Sequence, residues 1–387
     1  MLGKRFCFKI LHLIAVLTAA AAMTVQAAAW PQPDIDPVKA KGCVVIEKNT
    51  GRILYACSAH DRLPMASTTK IMTAMLTLEQ PKLDEWFTVD SGAIHVEGSS
   101  MGLQEGDSVT LRALVYGMLL PSGNDAANAA AVRIAGSIPD FVQQMNLRAQ
   151  EIGLENTHFV TVSGLDDDNH YSTAYDMAVL TAYAMQNPEF TRIASMSDAR
   201  LEFGNPPYKR WLSNTNKLLE RYDGCVGVKT GFTDAAYRCL VSAAERNNVT
   251  LICVTLNCAD DWNIHSNLYD RYFAQLSAKD FTPHDDEMQV SVIGGNVLKV
   301  RAECMEKPVI PLKAGEAERI QQRLELSRLE FAPVSRGEYL GEYKLFMDGK
   351  EIFSTPIAAA EDAVSIMPPK AKNNILQRIK AFTKALF

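Results

Sequence analysis

The feature that most restricts this chain is a serine at the mouth of an apolar run, with a lysine three residues behind it. Between Pro64 and Leu78, Ser67 and Lys70 stand about one helical turn apart, so serine Oγ and lysine Nζ project from one face toward one point. Ile71, Met72, Met75, Leu76 and Leu78 make most of the run apolar, which predicts a buried helix. A lysine beside such a surface loses solvation of its charge, its pKa falls toward neutral, and its amine becomes a proton acceptor for the hydroxyl. A helix start at Ser67 also leaves backbone N–H groups ready to receive an oxyanion. The spacing alone is weak, because S-x-x-K also occurs at ordinary helix starts.

At 387 residues the chain has room for two domains with sizeable cores. Lys4, Arg5 and Lys9 precede an apolar run from Ile10 to Met23, and small residues follow up to Ala29. Residues 1–29 therefore read as a cleaved secretory signal, which places the mature protein outside the cytoplasm. Removing the three basic residues leaves 36 against 45 acidic ones, a formal charge of −9. An acidic body excludes nucleic acid as an expected partner. The chain end reverses that sign, with Lys370, Lys372, Arg378, Lys380 and Lys384 and no acidic residue after Asp362. Beyond Pro368-Pro369 the residues Ile375, Ile379, Phe382 and Leu386 form an apolar stripe, so residues 369–387 read as an amphipathic helix lying on an anionic membrane surface. The alternative is a helix docked on the preceding domain.

Cys43-Val-Val-Ile-Glu-Lys48 and Arg52-Ile-Leu-Tyr-Ala-Cys57 read as a hairpin around Asn49-Thr-Gly51. Cys43 and Cys57 would be cross-strand neighbours, bridged or simply buried. No C-x-x-C occurs and the seven histidines lie apart, so neither a metal nor another cofactor is expected. Leu111 to Leu119 reads as a helix stopped by Pro121, Ser122-Gly-Asn124 as a tight turn, and Asp125 to Gly136 as an alanine-rich helix. A further helix closes at Gly153, and Thr173-x-x-Asp176 reads as a capping box. Extended runs follow at Val226–Thr230, Cys239–Ala243 and Val249–Leu256, then a helix with Trp262, His265, Tyr269, Tyr272 and Leu276 on its apolar side. A polar, proline-bearing stretch near Ala278 marks a boundary. Residues 30–278 should form an α+β domain, an antiparallel sheet flanked by helices, and residues 282–366 a small all-β domain of short alternating runs.

Gly227-Val-Lys-Thr-Gly-Phe-Thr233 ends a strand with a fixed cation, a hydroxyl and a glycine that permits close approach. K-T-G alone is common. The order Ser67-x-x-Lys70, Ser122-Gly-Asn124, Lys229-Thr-Gly231, on helix start, interhelical turn and strand end, is the trio of penicillin-binding proteins and class A β-lactamases. The chain resembles the low-molecular-mass penicillin-binding proteins that act as D-alanyl-D-alanine carboxypeptidases. Asn156-Thr-His-Phe159, Gly164-Leu-Asp166, Tyr171-Ser-Thr-Ala-Tyr-Asp-Met177, Gly337-Glu-Tyr-Leu-Gly341 and Asp348-Gly349 extend the resemblance over nearly all of the mature chain.

That resemblance implies a β-lactamase/transpeptidase-like fold and removal of the terminal D-alanine from peptidoglycan stem pentapeptides, with β-lactams as covalent ligands. It implies Ser67 as nucleophile and Lys70 as its base, with Ser122 relaying a proton to the leaving amine and Asn124 holding Lys70 and the substrate amide. Lys229, Thr230 and Gly231 would form the carboxylate-binding strand, and the backbone N–H groups of Ser67 and Phe232 the oxyanion hole. It also implies work at the outer face of the cytoplasmic membrane. Two departures stand out. The stretch Leu256-Asn-Cys-Ala-Asp-Asp261 lacks the arginine that some members place there, and Ala236-Tyr237-Arg238 replaces a usual Ala-Gly pair, so Arg238 either supplies part of the missing positive field or faces solvent. A D,D-endopeptidase would use the same residues, a β-lactamase would need a deacylating glutamate and no second domain, and a non-catalytic wall-binding protein would show broken motifs.

Overall fold

A computed structural model of the protein describes residues 38–366. The signal and the tail helix expected from the sequence lie outside that range. The described chain forms two compact units, residues up to Ala278 with Pro311–Ala314, and Lys279–Ile310 with the chain from Gly315 onward. Among the described residues no helix is long and apolar enough to cross a membrane.

The first unit is built on a five-stranded sheet. Strands β1 (Gly42–Glu47) and β2 (Ile53–Cys57) form the hairpin, and β1 also pairs with a later strand, so all six of its residues are buried. Alternation sorts them between two cores: Val44 and Ile46 face one, Cys43 and Val45 the other. Cys43 and Cys57 are register partners, and both are free thiols, as are the other five described cysteines.

The serine run begins as a 3-10 turn, Ala66–Thr69, and becomes the α-helix α1 (Lys70–Leu78) only at the lysine. All nine residues of α1 are buried, as the apolar pattern requires of a helix at the centre of a layer. Helices α2 (Leu111–Leu119), α3 (Asn124–Ala135), α4 (Ile138–Ile152), α5 (Ala174–Ala184) and α6 (Pro188–Ala194) complete that layer. Thr173 caps α5 by accepting from Asp176 N at 2.9 Å, but the reciprocal half of the expected capping box is missing. The Asp176 carboxylate instead accepts from Asn156 N and Thr157 Oγ1, each at 2.8 Å, tying the preceding loop to the helix.

A hairpin not anticipated from the sequence follows, β3 (Asp198–Gly204) with β4 (Pro207–Ser213). Strands β5 (Cys225–Thr233), β6 (Tyr237–Arg246) and β7 (Val249–Leu256) then complete the main sheet in the order β2-β1-β7-β6-β5, antiparallel throughout. Helix α7 (Asp261–Phe273) covers the face opposite the helical layer, ending before Leu276. β5 is therefore an edge strand with its end beside the serine turn.

The second unit is a six-stranded sheet of β8 (Gln289–Ile293), β9 (Lys299–Cys304), β10 (Ile320–Leu326), β11 (Leu329–Phe331), β12 (Tyr339–Met347) and β13 (Lys350–Ala359), in the order β10-β12-β13-β9-β8-β11. β10 and β11 went unread in the sequence because Gln321, Gln322 and Arg323 give no apolar alternation and β11 has three residues.

Candidate active site

The serine turn is held from both sides. Thr68 Oγ1 donates to Met65 O at 2.6 Å and Thr69 Oγ1 to Ala66 O at 2.8 Å, closing the tight turn with side chains. His170 stands behind it. Its Nδ1 accepts from the backbone N–H of Val160 at 3.0 Å, so Nε2 carries the proton and donates to Thr69 Oγ1 at 2.8 Å. Burial pushes His170 down to about 4, which keeps it neutral. Two glycines permit the close packing. A Cβ on Gly164, whose φ is +87°, would lie 1.9 Å from Ala66 O, and one on Gly231 would lie 3.1 Å from Ser67 N.

Lys70 is fully buried and makes three contacts: Ser67 Oγ at 2.8 Å, Asn124 Oδ1 at 2.6 Å and Ser163 O at 2.8 Å. None of the three carries a charge. Burial, reinforced by the nearby Lys229, holds the Lys70 ammonium well below the ordinary lysine range. A neutral amine can donate to Asn124 Oδ1 and Ser163 O, which turns its lone pair to the Ser67 hydroxyl.

Asn124 opens α3, donating through Nδ2 to Glu97 O and through its backbone N to Ser99 O, both at 2.7 Å. Its neighbour Asp125 was not singled out in the sequence. The Asp125 carboxylate accepts from the backbone N–H groups of Met101, Leu103 and Gly102 at 2.9, 3.0 and 3.1 Å and from Ser100 Oγ at 2.5 Å, fixing the loop that Asn124 also grips. An acidic residue in the first turn of a helix was the one available signal. Ser122 is buried with φ +66° and lines the same cavity as Ser67 and Asn124.

On β5, Lys229 is buried and donates to Thr230 O at 2.8 Å, and burial pushes it down to about 7. Thr230 and Thr215 share a hydroxyl hydrogen bond of 2.6 Å. Past Gly231, Phe232 is 62% exposed, and Thr233 Oγ1 donates to Asp166 Oδ1 at 2.6 Å, tying the strand end to the Gly164 loop. Six of the eight residues singled out in the sequence thus line one cavity of about 640 Å³, and the other two contact it through its lining, Lys70 through Ser67 and Lys229 through Thr230. Arg238 lines it too, but not as a free cation. It is paired with the buried Asp261 at 2.6 Å and stacked 5.3 Å from the Trp262 ring, so its positive field is largely cancelled. Among the described residues no three His, Cys, Asp or Glu side chains converge to hold a metal.

Residues 25–260 match the family described as D-alanyl-D-alanine carboxypeptidase, and residues 277–365 match the C-terminal domain of penicillin-binding protein 5. The chain is 32% identical over 334 residues to the D-alanyl-D-alanine carboxypeptidase DacF of Bacillus subtilis, covering 84% of this chain and 86% of that one. It is 31% identical over 241 residues to a D-alanyl-D-alanine endopeptidase of Escherichia coli, covering 62% of this chain and 76% of the other. The crystal structure of penicillin-binding protein 5 from Haemophilus influenzae superposes with a TM-score of 0.65 at 30% identity, over 86% of this chain and all of that one. On these matches the chain belongs to the D-alanyl-D-alanine carboxypeptidase family, serine-type hydrolases among the low-molecular-mass penicillin-binding proteins.

Proposed function

We propose that this protein removes the terminal D-alanine from peptidoglycan stem pentapeptides through an acyl-serine ester, and that β-lactams acylate the same serine. The observation that carries the reading is the buried Lys70 amine, 2.8 Å from Ser67 Oγ with only uncharged partners. In this mechanism Lys70 takes the Ser67 proton as Oγ attacks the carbonyl between the two D-alanines, and Ser122 delivers a proton to the departing amine. Asn124 holds Lys70 and the substrate amide. The backbone N–H groups of Ser67 and Phe232 receive the oxyanion, and Lys229 with Thr230 binds the terminal carboxylate, while Gly231 lets the strand lie against the serine turn. Water then hydrolyses the ester. With Arg238 occupied by Asp261, the cation for that carboxylate is Lys229.

Residues 30–278 are assigned as the catalytic domain, 282–366 as the β-rich domain, 1–29 as the signal and 369–387 as an amphipathic helix holding the protein to the outer face of the cytoplasmic membrane. The similarity to an endopeptidase supports cross-linked peptides as a second substrate of the same site. The test is D-alanine release from a peptide ending in Lys-D-Ala-D-Ala by the full chain and by Ser67→Ala, with labelled penicillin in parallel. Release that vanishes in the variant, with label on Ser67, is the expected result. Label without release would move the reading to cross-linked substrates, and neither signal from folded protein would leave a wall-binding role.

A further inference from the structure

Fifteen large apolar side chains are exposed among the described residues, and six of them gather at one end of the second unit's sheet. β8 and the edge strand β11 run parallel with Ile293 opposite Phe331 and Ser291 opposite Leu329. Val290 and Val292 are buried, so the alternating positions Ile293, Leu329 and Phe331 point away from the core. Leu298 O accepts from Val292 N at 2.8 Å, which brings in Leu298, 84% exposed. The last described segment lies against the same loop: Asn296 N donates to Val364 O and Ile366 N to Gly294 O, each at 2.9 Å. Val364 and Ile366 are exposed there, and Phe331 is 66% exposed. Soluble surfaces rarely concentrate apolar side chains in this way without a partner.

The sequence says which partner. Ile366 sits in the patch, and the 21 residues that follow it carry five basic residues, no acidic one, and the stripe Ile375, Ile379, Phe382 and Leu386. Lys299 and Arg328, exposed and adjacent to Leu298 and Leu329, extend the basic character onto the sheet. An apolar cluster flanked by Lys299 and Arg328, and followed by a basic apolar-striped segment with no acidic residue, fits an anionic lipid surface, whose acyl boundary takes the apolar groups while its phosphates take the cations. A tail alone would tether the second unit by a flexible point. A patch that the tail follows within a few residues would seat it.

We propose that this sheet end, Ile293, Leu298, Leu329, Phe331, Val364 and Ile366, is a second membrane contact that enters the lipid interface beside the tail. The inference rests on the reading of residues 369–387 as a membrane anchor, and it assigns to the β unit a binding role of its own.

The experiment uses the full mature chain and vesicles of 70% phosphatidylethanolamine and 30% phosphatidylglycerol with brominated acyl chains. Phe331→Trp should show tryptophan quenching beyond that of the unsubstituted protein, and Phe331→Glu with Leu298→Glu should weaken vesicle binding about tenfold with the thermal melt retained. Phe382→Glu, in the tail, should weaken binding independently. If Phe331→Trp protein binds vesicles but its added emission is not quenched, the patch is covered by the tail or by another protein, and the proposal fails while the anchor stands. If the full chain does not bind the vesicles at all, both fail.

Discussion

Two serine clusters lie on opposite faces of the same sheet. On the helical face Ser67 meets Lys70 at 2.8 Å. On the other face Ser242 Oγ meets His265 Nδ1 at 2.6 Å and Tyr269 OH at 2.6 Å, while His265 Nε2 meets Thr255 Oγ1 at 3.0 Å. By residue type the Ser242 cluster is the closer match to a hydrolase centre, since a serine with a histidine is the familiar nucleophile–base pair. Yet Ser242, Thr255, His265 and Tyr269 are all at 0% exposure, and each finds a partner within the cluster. The Ser67 cluster opens on a cavity, and its base is buried with no carboxylate in contact. Chemistry here follows access and a deliberately poor environment for charge, not the identity of the side chains.

The sharpest way to test that contrast is to remove each serine. Ser67→Ala should lower D-alanine release on the order of 10⁴-fold or more with little change in melting temperature. Ser242→Ala should leave turnover within about twofold and cost about 1–3 kcal/mol of stability, because it strands hydrogen-bond partners in a dry interior. Comparable kinetic losses in the two variants, measured side by side with denaturant melts, would erase the distinction. Next comes Lys70→Met, which should slow penicillin acylation on the order of 10³-fold with only a modest fall in melting temperature, since removing a buried amine held out of water offsets much of the cost of leaving Asn124 Oδ1 and Ser163 O without a donor.

The sealed cluster should announce itself instead through acid. Burial pushes His265 down to about 3. Between that value and the ordinary 6.5 the unfolded chain binds the proton and the folded chain does not, so stability falls as pH is lowered through this window and is indifferent to His265 above it. The full window is worth on the order of 5 kcal/mol. His265→Gln should flatten the acid limb of a melting-temperature profile, and an unchanged limb would show that another group governs it. The smallest effect is expected at Lys229. With its pKa near 7, the free enzyme loses the ammonium as pH rises, so KM for the peptide should increase above neutrality by up to about tenfold per pH unit, with kcat changing less. A flat KM from pH 7 to 9 would remove Lys229 from carboxylate recognition.

The open cluster was legible in the sequence because its logic is local. A lysine one turn after a serine in an apolar run already specifies both the meeting and the lowered basicity, and strand patterning located Lys229 on an extended segment. The groups that hold the site are non-local and left no pattern. Asp125 works by gathering amides some 24 residues earlier in the chain, and His170 by reaching a threonine 101 residues away. The β3–β4 hairpin escaped for a related reason: Arg200, Glu202, Lys209 and Arg210 interrupt its alternation, and Arg210 is stabilised by lying 4.2 Å from the Phe203 ring and 2.8 Å from Asp107, contacts that only the fold creates. Arg238 shows the converse. Sequence put a cation near the substrate carboxylate, and the fold put Asp261 against it.

Three of the seven free thiols of the fold have a consequence for how such a chain withstands oxidation. Burial pushes Cys225 and Cys258 up to about 11 and Cys239 to about 12. At neutral pH a thiol near 11 is ionised in only about one molecule in ten thousand, and exchange and oxidation proceed through the ionised form. In the oxidising wall space proposed for this protein, these three sulfurs would therefore react slowly.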